Sequence, residues 1–192
     1  MSSTTKYRTK ATVSLLISGR RTRYYGLSLE LVCSCRRMFH ELMVCWSNNQ
    51  RLGKNGESCS FPLITNHNGC SEDLRIIRQR SAGTAEKLFT PRLHAGFCGL
   101  HFPSVNESVT FHFDVELVPY VGLWLCHGGW PTRSEEKHFT VALEPCNGRS
   151  DSLAQANSRK ECPVLDPGAC HRWTLQIQLC TGIPSSESRP EL

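Results

Sequence analysis

The sequence predicts an all-β fold, an antiparallel β-sandwich, and two observations carry that prediction. From residue 84 onward, short segments of alternating or continuous apolar character follow one another between clusters of Gly, Pro, Asn and Ser. Helical periodicity is scarce over the same span, and strands do not alternate with helices as they do in a parallel α/β sheet.

Before that span the reading is mixed. Residues 1–12 are polar. Segments 13–17 and 27–32 are strand-like. Cys33-Ser34-Cys35 has thiolate ligands for a metal, but no second pair at ligand spacing supports it, so ordinary thiols are expected. In residues 36–46, Met38, Phe39, Leu42, Met43 and Trp46 follow a helix-like period. Residues 48–60 read as loop, and 61–64 as a short apolar piece leading into an Asn66-His67-Asn68-Gly69 turn. Residues 71–80 have the material for two helical turns, with Ser71 as N-cap.

The strands then come in order. Residues 97–102 form one, and Val109, Phe111 and Phe113 alternate with polar neighbours in the next. Residues 120–126 are apolar at nearly every position, as in a strand covered on both faces. Gly128-Gly129 allows a sharp turn. From His138 to Glu144 the pattern alternates again, with Phe139, Val141 and Leu143 on one face. Pro145 has no N–H for a ladder, so it ends this strand or sits at a sheet edge. Trp173, Leu175, Ile177 and Leu179 mark the last strand, and 183–192 is a polar tail.

Glu144 is therefore a carboxylate at a strand mouth, followed by a polar loop. It reads either as a general base or as a solvated strand end. Trp124 reads as core; Trp130, on the turn, reads as core or as a face for stacking a ligand. Arg149 and Asp151 follow as hydroxyl-binding or turn residues, and Asp151 is a candidate cap for a short helix through Ala156.

Composition narrows the classes. With 39% hydrophobic and 20% charged residues the chain is of soluble globular type. No apolar run approaches the roughly 20 residues of a membrane helix. Eleven cysteines without a signal-peptide pattern imply reduced thiols and a cytoplasmic location. Residues 1–83 hold 13 Lys/Arg against 5 Asp/Glu, whereas 84–192 hold 9 against 12, so the net +5 belongs to the first part. Those basic residues are scattered and lack interleaved aromatics, which argues against nucleic acid. The organisation expected is a basic N-terminal part (1–83), a sandwich part (84–182) and a tail (183–192). No dinucleotide, P-loop, nucleophile-elbow or zincin motif is present.

From residue 85 the chain resembles the aldose 1-epimerase (galactose mutarotase)-like superfamily. The residues that carry this are Glu86-Lys87-Leu88-Phe89, Phe111-His112-Phe113-Asp114, Tyr120-Val121-Gly122-Leu123-Trp124, Gly128-Gly129-Trp130-Pro131 and Ala142-Leu143-Glu144-Pro145. Asp151-Ser152-Leu153-Ala154, Leu165-Asp166-Pro167-Gly168 and Trp173 complete the series, which covers residues 85–179, about half the chain. The resemblance implies a supersandwich, incomplete here at its N-terminal side. It also implies a cofactor-independent, metal-free isomerase that interconverts sugar anomers.

On that resemblance Glu144 takes the proton of the anomeric hydroxyl, and a histidine on another strand protonates the ring oxygen. His127, Trp130, Arg149 and Asp151 are the candidate contacts to a sugar or sugar phosphate. The upstream histidine of the family has no clear counterpart: His67 reads as a loop residue and His40 has a thinner claim. The abrupt change near residue 83 reads as a replaced, truncated or frame-altered N-terminal part. Two rival readings are an inactive carbohydrate-binding or truncated remnant of the same fold, and a basic-arm interaction protein.

Overall fold

The computed structural model of the chain describes residues 40–66 and 69–183, and also Tyr7–Arg8 and Leu15–Ser18 by their backbone alone. The readings made on 27–32, Cys33, Cys35, His67 and the residues after 183 lie outside the described residues. In chain order the strands are β1 (Tyr7–Arg8), β2 (Leu15–Ser18), β3 (Glu41–Ser47), β4 (Ser58–Ser60), β5 (Leu63–Thr65), β6 (Ser71–Asp73) and β7 (Thr84–Phe89). They continue as β8 (Phe97–Phe102), β9 (Glu107–Phe113), β10 (Tyr120–His127) and β11 (Phe139–Cys146). After the short helix α1 (Leu153–Ser158) come β12 (Val164–Leu165) and β13 (Leu175–Thr181).

The fold is an antiparallel β-sandwich. One sheet runs β2-β11-β10-β7-β3-β4 and the other β13-β9-β8, with β5-β6 and β1-β12 as two-stranded ribbons. Strand alternation decides what fills the space between the sheets. Leu88, Val121, Leu123, Leu125, Val141 and Leu143 from the larger sheet share one buried cluster with Cys98, Leu100, Val109, Phe111 and Phe113 from the smaller. Each such leucine contributes about 1.5–3 kcal/mol by leaving water. The opposite face of the larger sheet buries a second cluster: Met43, Cys45, Phe89, Tyr120 and Cys146.

The helix expected over 36–46 is not found in its described part, where residues 41–47 form β3. This strand lies inside the sheet, between β7 and β4, and is apolar on both sides. Leu42 and Val44 enter the intersheet core, while Met43 and Cys45 join the second cluster. A strand buried on both faces reads as a continuous apolar run, which periodicity alone does not separate from a helix. A bulge between Val44 and Trp46 further breaks the alternation.

Residues 71–80 also depart from the helical expectation. They form β6, then turns that lead to a single 3-10 turn at Arg80–Ala82. Asp73 Oδ1 accepts from the backbone N–H of Arg75 at 2.9 Å, closing a local turn in place of a helix start.

Strands on both sides of residue 83 share the larger sheet, since β3 pairs with β7 and β2 with β11. The strand carrying Glu144 runs on through Pro145 to Cys146. The pairing with β2 covers only Thr140 to Leu143, so Pro145 sits where β11 has no described outer neighbour and its missing N–H breaks no ladder. Among the described residues the nine cysteines are free thiols. No helix there is long and apolar enough to cross a membrane.

Leu42 and Leu123 lie on opposite sides of residue 83 yet fill one core. Leu42→Ala and Leu123→Ala should each lower unfolding free energy by about 3 kcal/mol in urea titrations, within one cooperative transition. Destabilisation by Leu123→Ala alone would mean that β3 is not part of the cooperative unit.

Candidate functional site

Register builds the site. Gly122 on β10 stands opposite Glu144 on β11 and opposite Phe89 on β7. Directly opposed residues of antiparallel strands share a face, so Gly122, Glu144, Phe89, Lys87 and Trp124 lie on the face away from the intersheet core. The glycine matters here for space. A Cβ at Gly122 would come within 3.2 Å of both Glu144 Oε2 and Phe89 Cε1.

Lys87 Nζ donates to Glu144 Oε2 across that gap. The two side chains keep 10% and 16% of their surface exposed, so the pair is nearly enclosed but reachable. The ammonium also lies 5.5 Å from the centre of the Phe89 ring. Burying either charge alone costs several kcal/mol, which ties the position of each to the other.

Three indoles stand beside the pair. Lys87 is flanked in register by Trp46 on β3 and Trp124 on β10. The Trp46 and Trp124 ring centres are 5.8 Å apart, and Trp130 follows Trp124 at 6.1 Å, edge to face. Trp124 is half-buried and Trp130 is 40% exposed, so the row opens toward solvent at the turn. The turn itself is held by close backbone approach. A Cβ at Gly129 would meet the Thr84 carbonyl carbon at 2.4 Å, and Gly128 has a φ of +85°.

Beyond Glu144, the loop after β11 folds back over the same face. Asp151 accepts from Cys45 Sγ at 3.4 Å, and Arg149 pairs with Glu161 at 3.1 Å. Burial, and then the charge of Glu161, raise the Tyr120 hydroxyl above its ordinary range. The cap of α1 is Ser152, whose side chain accepts from the Gln155 N–H, and not Asp151.

The structure thus brings Glu144, Trp130 and Asp151 to one face, with Arg149 in the loop that covers it. His127 is not with them. It pairs with Thr84 in register, and its parity in β10 is that of Leu123 and Leu125, so it points into the space between the sheets. The sheet separates it from Glu144. Its Nδ1 meets Thr84 Oγ1 at 3.2 Å, and its Nε2 has no hydrogen-bond partner among the described residues. Burial, together with the Arg78 and Arg51 charges, pushes its pKa down to about 4.

Those arginines belong to a second charge group on the core side. Arg51 bridges Glu86 at 2.8 Å and Glu72 at 2.6 Å, and Arg78 reaches Glu72 at 2.9 Å. Desolvation of the fully buried Glu86 raises its carboxyl pKa.

Sequence reading assigned no role to Lys87, Trp46 or Tyr120. A signal for Lys87 was present: Glu86 and Lys87 are two adjacent charges in a strand that is otherwise apolar or small, and buried charges require partners. Alternation sends them to opposite faces, one to each charge group.

His127 makes a pH test. Its folded-state pKa is depressed to about 4, so as pH falls below about 6.5 the unfolded chain takes up a proton that the folded chain refuses. Stability from this source is intact above pH 6.5 and falls by roughly 3 kcal/mol toward pH 4. His127→Gln should remove that slope in urea titrations run across the window. An unchanged slope would mean that His127 is protonated in the folded protein.

Comparison of the chain with protein-family models and with curated proteins yields no match. Among solved structures it is similar to the crystal structure of the Slr1438 protein from Synechocystis sp. PCC 6803. The TM-score is 0.48 and the identity 15%, over 90% of this chain and 46% of the other, so the chain spans less than half the length of the protein it matches.

Proposed function

We propose that the Glu144 face binds a carbohydrate, an aldose or a sugar phosphate, and that the chain interconverts its anomers. The observation that carries this reading is the Lys87–Glu144 pair set at the foot of three indoles. An indole face packs on the C–H face of a pyranose, while a carboxylate and an ammonium side by side satisfy neighbouring hydroxyls.

Anomer exchange needs one group to take the C1 hydroxyl proton and another to give a proton to the ring oxygen. Glu144 is the base. Lys87 is the proton-bearing group beside it; His138, next to Trp130, is six residues from Glu144 along the chain, roughly 20 Å in a strand. The sugar enters between the pair, Glu144 accepts the hydroxyl proton and Lys87 protonates the ring oxygen as the C1–O bond opens to the aldehyde. Rotation about C1–C2 and return of both protons close the other anomer. Arg149 holds a phosphate or an outer hydroxyl, Asp151 accepts from an outer hydroxyl, and no cofactor or metal is invoked.

A second reading rests on the same pair. With Glu144 Oε2 already occupied by Lys87, a sugar that stacks on the indoles without separating them would be held and not converted.

Proton NMR exchange between anomers, measured with a panel of aldoses and sugar phosphates, tests both readings. Wild type should exchange above the buffer rate, and Glu144→Gln should lose roughly 10²–10⁴-fold while still binding. Lys87→Met should lose exchange as well. Binding without exchange in wild type would select the second reading, and full exchange in Glu144→Gln would overturn the first.

A further inference from the structure

The smaller sheet ends in β13, which pairs with β9 through all seven of its residues and has no strand on its outer side among the described residues. Edge strands are ordinarily protected by a charge, a proline or a bulge, because their free N–H and C=O groups template further pairing. Residues 175–181 read LQIQLCT and have no such protection.

The side chains point the same way. Ile177 and Leu179 stand opposite Phe111 and Val109, both buried, yet they are 53% and 81% exposed. The face that forms core under β9 becomes open apolar surface under β13. A groove lined by Phe102, Val109, Leu179 and Thr181 lies on this side.

The pattern selects the occupant. Leu175-Gln176-Ile177-Gln178-Leu179 reads identically in both directions. A two-fold interface must be self-complementary, and antiparallel pairing of two such strands about Ile177 sets Leu175 against Leu179, Gln176 against Gln178, and Ile177 against itself. Apolar side chains then meet on one face and amides on the other.

We infer that β13 is the contact strand of a symmetric dimer, in which a second copy of this chain pairs with it antiparallel about Ile177 and joins two three-stranded sheets into one of six. The pairing leaves the Glu144 face, which belongs to the other sheet, open in both copies.

Sedimentation velocity across the micromolar range tests this. The wild-type mass should rise from one chain to two with concentration, and Ile177→Lys, which sets two ammonium groups on the axis, should weaken association about 100-fold. Ile177→Cys is the second variant. Oxidation should link residue 177 to residue 177 between chains, mapped by mass spectrometry against the wild-type background, and Leu179→Cys should give no 179–179 link. A chain that stays monomeric throughout overturns the inference. So does a dimer unaffected by Ile177→Lys, or one in which 177 never links to itself.

Discussion

Two opposite charges, held together across a glycine in the middle of a sheet, constrain the rest of this molecule. Lys87 and Glu144 reach each other over Gly122, from strands on either side of β10. Neither charge is tolerable in that enclosed position without the other. Glycine at 122 is the residue that leaves the carboxylate room, because even a methyl group would crowd both Glu144 and Phe89. The indoles of Trp46, Trp124 and Trp130 stand along one side, and the loop after β11 closes the other through Asp151 and Cys45.

The larger sheet separates two kinds of charge. Glu86 and Lys87 are neighbours in β7 and project to opposite sides. Glu86 enters a network in which Arg51 bridges it to Glu72, and Arg78 also reaches Glu72. Lys87 meets the Glu144 carboxylate on a partly open face. The first arrangement faces the core; the second keeps 10% and 16% of its two side chains exposed. His127 belongs with the first, and its depressed pKa follows from burial beside two arginines.

Much of the sandwich was legible in the sequence. β8, β9, β10, β11 and β13 fall within a few residues of the segments read from alternation, because each has one apolar face or is apolar throughout. β3 was not legible, since a strand buried on both faces and interrupted by a bulge carries no period. Glu144 was found from its place at the end of an alternating run. Its partner was hidden because the meeting depends on how β7 and β11 each align with β10, and sequence alternation does not set how two strands align. His127 lies near Glu144 in the order of the motifs, whereas its parity in β10 puts it on the other face. Lys87 was visible only as a charge in an apolar strand.

A crystal structure of the chain soaked with an aldose tests the central claim most directly. The sugar should lie on the outer face of the larger sheet, stacked against Trp124 or Trp130, with its anomeric oxygen in hydrogen-bond contact with Glu144 and the Lys87 contact opened. A sugar bound elsewhere, with the Lys87–Glu144 pair intact, would contradict it.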